Sequence, residues 1–98
     1  MASVEQEVKI VNKYGLHARP AMQFVELAHK YACKIDVSNG SLSVDAKSIM
    51  SVMRLAGTKG TVLRITANGD DAEEAVAALV GLVTKGFGEL EDEQPAGR

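Results

Sequence analysis

The chain has one cysteine, Cys33, no tryptophan and two prolines in 98 residues. A single thiol forms no disulfide within the chain and no multi-thiolate metal site, so Cys33 reads as a small buried hydrophobe. No apolar run approaches the ~20 residues needed to cross a bilayer as a helix. Residues 1 to 20 also lack the basic end, apolar block and small-residue cleavage site of a signal peptide, so a cytoplasmic protein without membrane insertion is expected. Aromatics make up only 4% of the chain, and no basic-aromatic platform for nucleic acid is visible.

The 46% hydrophobic share suffices for one compact core, and the length leaves no room for a second. The net charge of −2 conceals a segregation. From Lys9 to Arg64, nine basic residues stand against three acids, a balance of +6; from Asp70 to Arg98, two stand against eight, a balance of −6. The bland reading is a solvated surface with an acidic helix and tail; the sharper one is a basic face that attracts an acidic protein partner.

Val4, Gln6, Val8 and Ile10 alternate with charged residues and predict a first strand over 4–10. Asn12 to Gly15 reads as a loop, and Pro20 suits the first turn of a helix, where its missing N–H costs nothing. Ala21, Phe24, Val25 and Ala28 then share one helical face. Cys33 to Val37 and Leu42 to Asp45 alternate around Asn39-Gly40, which predicts a hairpin with a tight two-residue turn at that pair. Ser48 to Leu55 reads as a brief helix ended by the 57–60 stretch, and Leu63, Ile65 and Ala67 mark a fourth strand. The longest helix follows, capped by Asp70 or Asp71, with an apolar stripe of Ala72, Val76, Leu79 and Val83, and ended by Gly86.

The order βαββαβα predicts an α+β fold with helices on one face of an antiparallel sheet. The domain is placed at residues 1–90. From Glu89 onward the chain is acidic with little to bury and reads as fraying, with 91–98 as a disordered acidic tail.

Gly15-Leu16-His17-Ala18-Arg19-Pro20 places an imidazole directly before a helix N-terminus. A free imidazole, with its pKa of ~6.5, is largely neutral and nucleophilic at pH 7. A phosphoryl group on it would face the unpaired N–H groups of the first turn, worth ~0.3 to 1 kcal/mol at exposed sites. Arg19 can add charge-assisted hydrogen bonds, and Gly15 is expected to relax the backbone so that the ring can swing. A lone histidine before a helix is more often a loop residue or a cap than a phosphate acceptor.

These six residues, with Lys47-Ser48-Ile49-Met50 and Ser51-Val52-Met53, resemble the HPr family, the histidine-containing phosphocarriers of the bacterial phosphotransferase system. The element order matches over about Val4 to Leu90. The resemblance implies an open-faced β-sandwich with sheet order 1-4-2-3 and three helices on one face. It also implies a phosphoryl group carried on Nδ1 of His17, supported by Gly15, Ala18 and Arg19. The protein is then a phosphorylated intermediate rather than an enzyme, with Enzyme I as donor and a IIA protein as acceptor. No cofactor or metal is expected, because His17, His29 and Cys33 come from different faces. Ser48, otherwise a helix N-cap, matches the serine that an HPr kinase/phosphorylase modifies in some bacteria. Lys47, Ile49, Met50 and Met53 form the implied docking surface, Ser51 stands where many relatives have glycine, and a monomer is expected. Two rivals remain: a regulatory docking module of the same fold whose phosphorylation only selects partners, and a ligand-binding ferredoxin-like domain with sheet order 4-1-3-2.

Overall fold

A computed structural model describes residues 3–89. Strand β1 (Ser3–Lys9) leads to helix α1 (Ala18–Ala28), then β2 (Lys34–Ser38) and β3 (Ser43–Asp45), the short helix α2 (Ile49–Met53), β4 (Val62–Asn68) and helix α3 (Ala72–Thr84), closed by a 3₁₀ turn over Gly86–Gly88. The sheet is antiparallel with order β1-β4-β2-β3, which excludes the ferredoxin-like order.

The register explains the two faces. Val8 pairs with Leu63, Val37 with Ile65 and Val44, and Ile35 with Ala67, so these side chains line one face and are buried there. Gln6 lies opposite Ile65 on that face but remains exposed. The other face carries Glu5, Glu7 and Arg64, whose guanidinium lies 3.4 Å from Glu5 and 3.0 Å from Glu7. All three are exposed, so these pairs contribute little to stability.

Helices α1 and α3 cover the apolar face as their sequence periods require. Helix α1 buries Pro20, Ala21, Phe24, Val25 and Ala28; α3 buries Ala72, Ala75, Val76, Leu79 and Val83. Fully burying each larger apolar side chain contributes about 1.5–3 kcal/mol. Among the described residues, no helix is long and apolar enough to cross a membrane.

Four local expectations change. The hairpin turns on Gly40-Ser41, with Gly40 at φ +99°, rather than on Asn39-Gly40. Asn39 precedes the turn, and its side-chain oxygen accepts from the N–H groups of Ser41 and Leu42 at 2.9 and 2.8 Å. Asp71 stands at the N-cap of α3 without capping through its side chain. Its carboxylate instead accepts from the N–H groups of Ala32 (2.8 Å) and Cys33 (3.0 Å), tying α3 to the entry of β2. The Cys33 thiol and these backbone donors hold the Asp71 carboxyl below the usual carboxylate range, while burial, then Asp71, pushes the thiol up. At the end of α2, Ala56 rather than a glycine takes the left-handed conformation, at φ +48°. Finally, Glu89 does not belong to a fraying tail: it is buried. The expected tail at 91–98 lies outside the described residues.

Candidate functional site

His17 is the N-cap of α1, with extended backbone (φ −77°, ψ −173°), and its side chain makes no capping bond. The ring is therefore available for other contacts, and its side chain is 40% exposed. The Ala21 N–H bonds back to the His17 carbonyl, and Pro20 has no N–H to offer. The amides of Ala18 and Arg19, the exposed first residues of the helix, are the first-turn donors that α-helical geometry leaves outside its ladder.

The loop that presents His17 is fixed. Gly15 is buried at φ +63°, and a Cβ there would fall 2.2 Å from the Gly57 carbonyl oxygen. That oxygen accepts from the Leu16 N–H at 2.8 Å, and the buried Leu16 side chain joins the core. Gly15 thus packs the loop against the segment after α2, in a conformation and a space that suit glycine alone. Asn12 closes the loop from within. It is fully buried, and its amide Nδ2 donates to the Gly15 carbonyl at 2.8 Å and to Glu89 Oε1 at 3.0 Å.

Glu89 brings the far end of the fold to the ring. His17 Nε2 lies 2.9 Å from Oε2 and 3.2 Å from Oε1. An ionised carboxylate only accepts hydrogen bonds, so the pair requires the proton on Nε2. Tyr14 meets the ring edge to face, with centroids 6.2 Å apart and planes at 89°, and the Lys13 ammonium stands 5.3 Å over the Tyr14 ring.

The second cluster begins at Ser48, the N-cap of α2, whose hydroxyl oxygen accepts from the Ser51 N–H at 3.3 Å. The helix buries only Val52; Met50 is 75% and Met53 42% exposed. Ile49, half-buried, lines a groove of about 280 Å³ with Met22, Val25 and Glu26 of α1. Lys47 is held on both sides: its ammonium donates to the Tyr31 carbonyl at 2.6 Å, and its own carbonyl accepts from His29 Nε2 at 2.8 Å. His29, given no role from sequence, therefore pins the end of α1 to the start of α2.

Sequence reading places His17 before α1 and Ser48 at the head of α2. It misses Asn12, Glu89 and Phe87, the buried residue of the Gly86–Gly88 turn. Phe87 had a signal, an aromatic residue between two glycines just past a helix; nothing local pointed from Glu89 to His17.

Comparison with known proteins places this arrangement. A family model described as the PTS HPr component phosphorylation site matches residues 4–85. The chain is 48% identical over 86 residues to the phosphocarrier protein HPr of Pseudomonas aeruginosa, covering 87% of this chain and 96% of the relative. It is 40% identical over 88 residues to the phosphocarrier protein NPr of Klebsiella oxytoca, covering 89% and 98%. The crystal structure of HPr-C-His from Thermoanaerobacter tengcongensis superposes with a TM-score of 0.84 at 48% identity, covering 88% of this chain and 97% of that one. An HPr dimer from the same organism matches with a TM-score of 0.71 at 49% identity, covering 84% and 94%.

Proposed function

Because the chain belongs to the HPr family of phosphocarrier proteins of the phosphotransferase system, carriers rather than enzymes, we propose that it accepts a phosphoryl group from Enzyme I on Nδ1 of His17 and passes it to a IIA protein. The observation that carries this reading is the half-exposed ring at the N-cap of α1, engaged through Nε2 and set beside the first-turn amides of Ala18 and Arg19. Those amides and the helix dipole favour an anion there, and the Arg19 side chain adds a cation two residues from the ring. Transfer of this kind needs positioning and charge stabilisation more than a second catalytic group, and two docked proteins supply the alignment.

Lys47, Ile49, Met50 and Met53, extended by the Met22 groove, form the docking surface in this reading. Exposed thioethers suit a face that must accept a donor and several acceptors in turn. The carrier works as a monomer whose His17 face stays open to partners. Ser48 is a second, regulatory site for an HPr kinase/phosphorylase. A phosphate there would stand at the head of α2 with ~−2 charge beside Ile49 and Met50, so docking suffers while the fold persists.

Incubation with phosphoenolpyruvate and Enzyme I is expected to give an acid-labile, base-stable phosphate that is absent in His17→Ala. Onward transfer should then occur to a IIA domain of the sugar or the nitrogen branch. A wild-type chain that takes no label sinks the proposal; label that no IIA protein accepts favours a docking module regulated by phosphorylation.

A further inference from the structure

The turn ahead of His17 points an aromatic side chain away from the core. The Gly15 N–H donates to the Asn12 carbonyl at 3.2 Å, so Lys13 and Tyr14 form the corner of a tight turn whose two ends are buried. Tyr14 is 66% exposed, and a ring left in water contributes little to the fold by burial. It nevertheless has a defined place. Its ring stands perpendicular to the His17 imidazole with centroids 6.2 Å apart, within the range of edge-to-face aromatic pairs. The Lys13 ammonium lies 5.3 Å from the Tyr14 centroid, within cation–π reach. The backbone beneath is fixed by Asn12 and by the Gly57 carbonyl.

Without this contact the imidazole has no fixed plane. The ring is attached at Cγ and held at Nε2 by Glu89, and two points define only a line across it. Both carboxylate oxygens meet Nε2, at 2.9 and 3.2 Å, so the ring can turn about that line without losing its partner. Nδ1 lies off the line and its lone pair lies in the ring plane, so turning swings the lone pair away from an incoming phosphorus. The ends of the line are taken by Cβ and by Glu89, so Tyr14 meets the ring away from it, where a third contact stops the turning.

We propose that Tyr14 is a positioning residue for phosphoryl transfer, its ring holding the plane of the His17 imidazole so that the Nδ1 lone pair points at the partner's phosphorus. The inference rests on the reading of His17 as the phosphoryl acceptor. In the step itself, the Nδ1 lone pair forms the N–P bond while the donor's bond to phosphorus breaks, and the donor keeps that electron pair. The Nε2 proton stays in place, and Tyr14 neither gives nor takes one. Its aromatic ring is what the role requires, not its hydroxyl. In-line transfer between docked proteins depends on alignment, so a ring free to turn loses rate without losing its partner.

Tyr14→Phe keeps the ring and Tyr14→Ala removes it, and at an exposed turn corner neither disturbs the core. Two measurements on the full-length chain separate positioning from docking and from folding. In NMR spectra of the wild type, nuclear Overhauser contacts are expected between the Tyr14 and His17 ring protons. In Tyr14→Ala the His17 Cδ2 and Cε1 proton shifts move as the ring current is lost. In single-turnover transfer from phosphorylated Enzyme I, the rate at saturating carrier is expected to fall about threefold in Tyr14→Ala and to stay near wild type in Tyr14→Phe, a change of the size an aromatic pair sustains. An unchanged rate in Tyr14→Ala, a change confined to half-saturation, an equal loss in Tyr14→Phe, or a wild type without the ring contacts each overturns the inference. If Tyr14→Ala does not fold, Tyr14→Asn, a residue suited to turns, takes its place. A wild-type chain that takes no phosphoryl group overturns the carrier reading and this inference with it. A wild type that is phosphorylated, with Tyr14→Ala its equal, overturns this inference alone.

Discussion

The loop of residues 12–17 and the helix α2 both belong to the proposed transfer face, yet they are built to opposite standards. The loop is held from every direction: Asn12 from within, the Gly57 carbonyl from beneath, Leu16 by the core and His17 by Glu89. Helix α2 has five residues, one of them fully buried, and presents two methionines to solvent. The difference follows from what each must do. A reacting nitrogen misplaced by an ångström loses much of its rate, whereas a surface shared among partners gains from side chains that repack.

The most direct way to break the comparison is Gly15→Ala. The new Cβ would meet backbone at 2.2 Å and sit at φ +63°, and neither neighbour is the flexible end of a side chain. We expect a loss of more than about 3 kcal/mol, read by denaturant unfolding, with Tm down by more than about 10 °C. Phosphoryl acceptance should fall with it. If Gly15→Ala unfolds like the wild type, the loop is not the rigid element described here.

On the α2 side the corresponding change is Val52→Ala. Val52 is fully buried and is the anchor of the helix, so its truncation is expected to cost about 2 kcal/mol, less than the glycine substitution. The helix should loosen locally while the His17 loop keeps its structure, which hydrogen exchange at Leu16 and at Val52 would separate.

What could be read in advance divides along similar lines. Strand and helix periods report which face is buried, so Ile35, Val37, Leu63, Ile65 and the stripes of α1 and α3 were legible residue by residue. The Gly15 to Pro20 motif was legible because its parts are adjacent. The Asn39-Gly40 pair correctly marked a turn, but Asn39 serves it by side-chain acceptance rather than by positive φ, a choice that composition does not distinguish. Asp71 looked like a cap because it precedes a helix, and only tertiary packing reveals that Ala32 and Cys33 claim its carboxylate. Glu89 was least legible: it follows an acidic helix and leads into acidic residues, while its partners Asn12 and His17 lie 77 and 72 positions away. Contacts of that separation leave no periodicity to read.

Ala56 offers a finer probe of how α2 ends. It adopts φ +48° without being glycine, and it is exposed, so no packing is lost when its Cβ is removed. Ala56→Gly relieves that strain but enlarges the freedom of the unfolded chain. A net gain of about 0.5 kcal/mol is expected in equilibrium unfolding; a loss would mean that the left-handed position is not strained for alanine.

The smallest expected change in stability carries the sharpest test of the comparison. Met50 is 75% exposed, so Met50→Ala removes a side chain that buries little within the fold, and the cost should stay within about 0.5 kcal/mol. If α2 serves as the adaptable docking surface, the same substitution removes apolar contact area from every partner complex. The half-saturating carrier concentration should then rise severalfold in transfer from Enzyme I, while the rate at saturation stays near that of the wild type, because the His17 ring and its supports are untouched. Gly15→Ala and Met50→Ala should therefore fail in different quantities: the first in folding and rate, the second in docking alone. A Met50→Ala carrier that is stable and docks normally but transfers slowly would place α2 among the elements that fix the ring, and the division between a rigid loop and an adaptable helix would not stand.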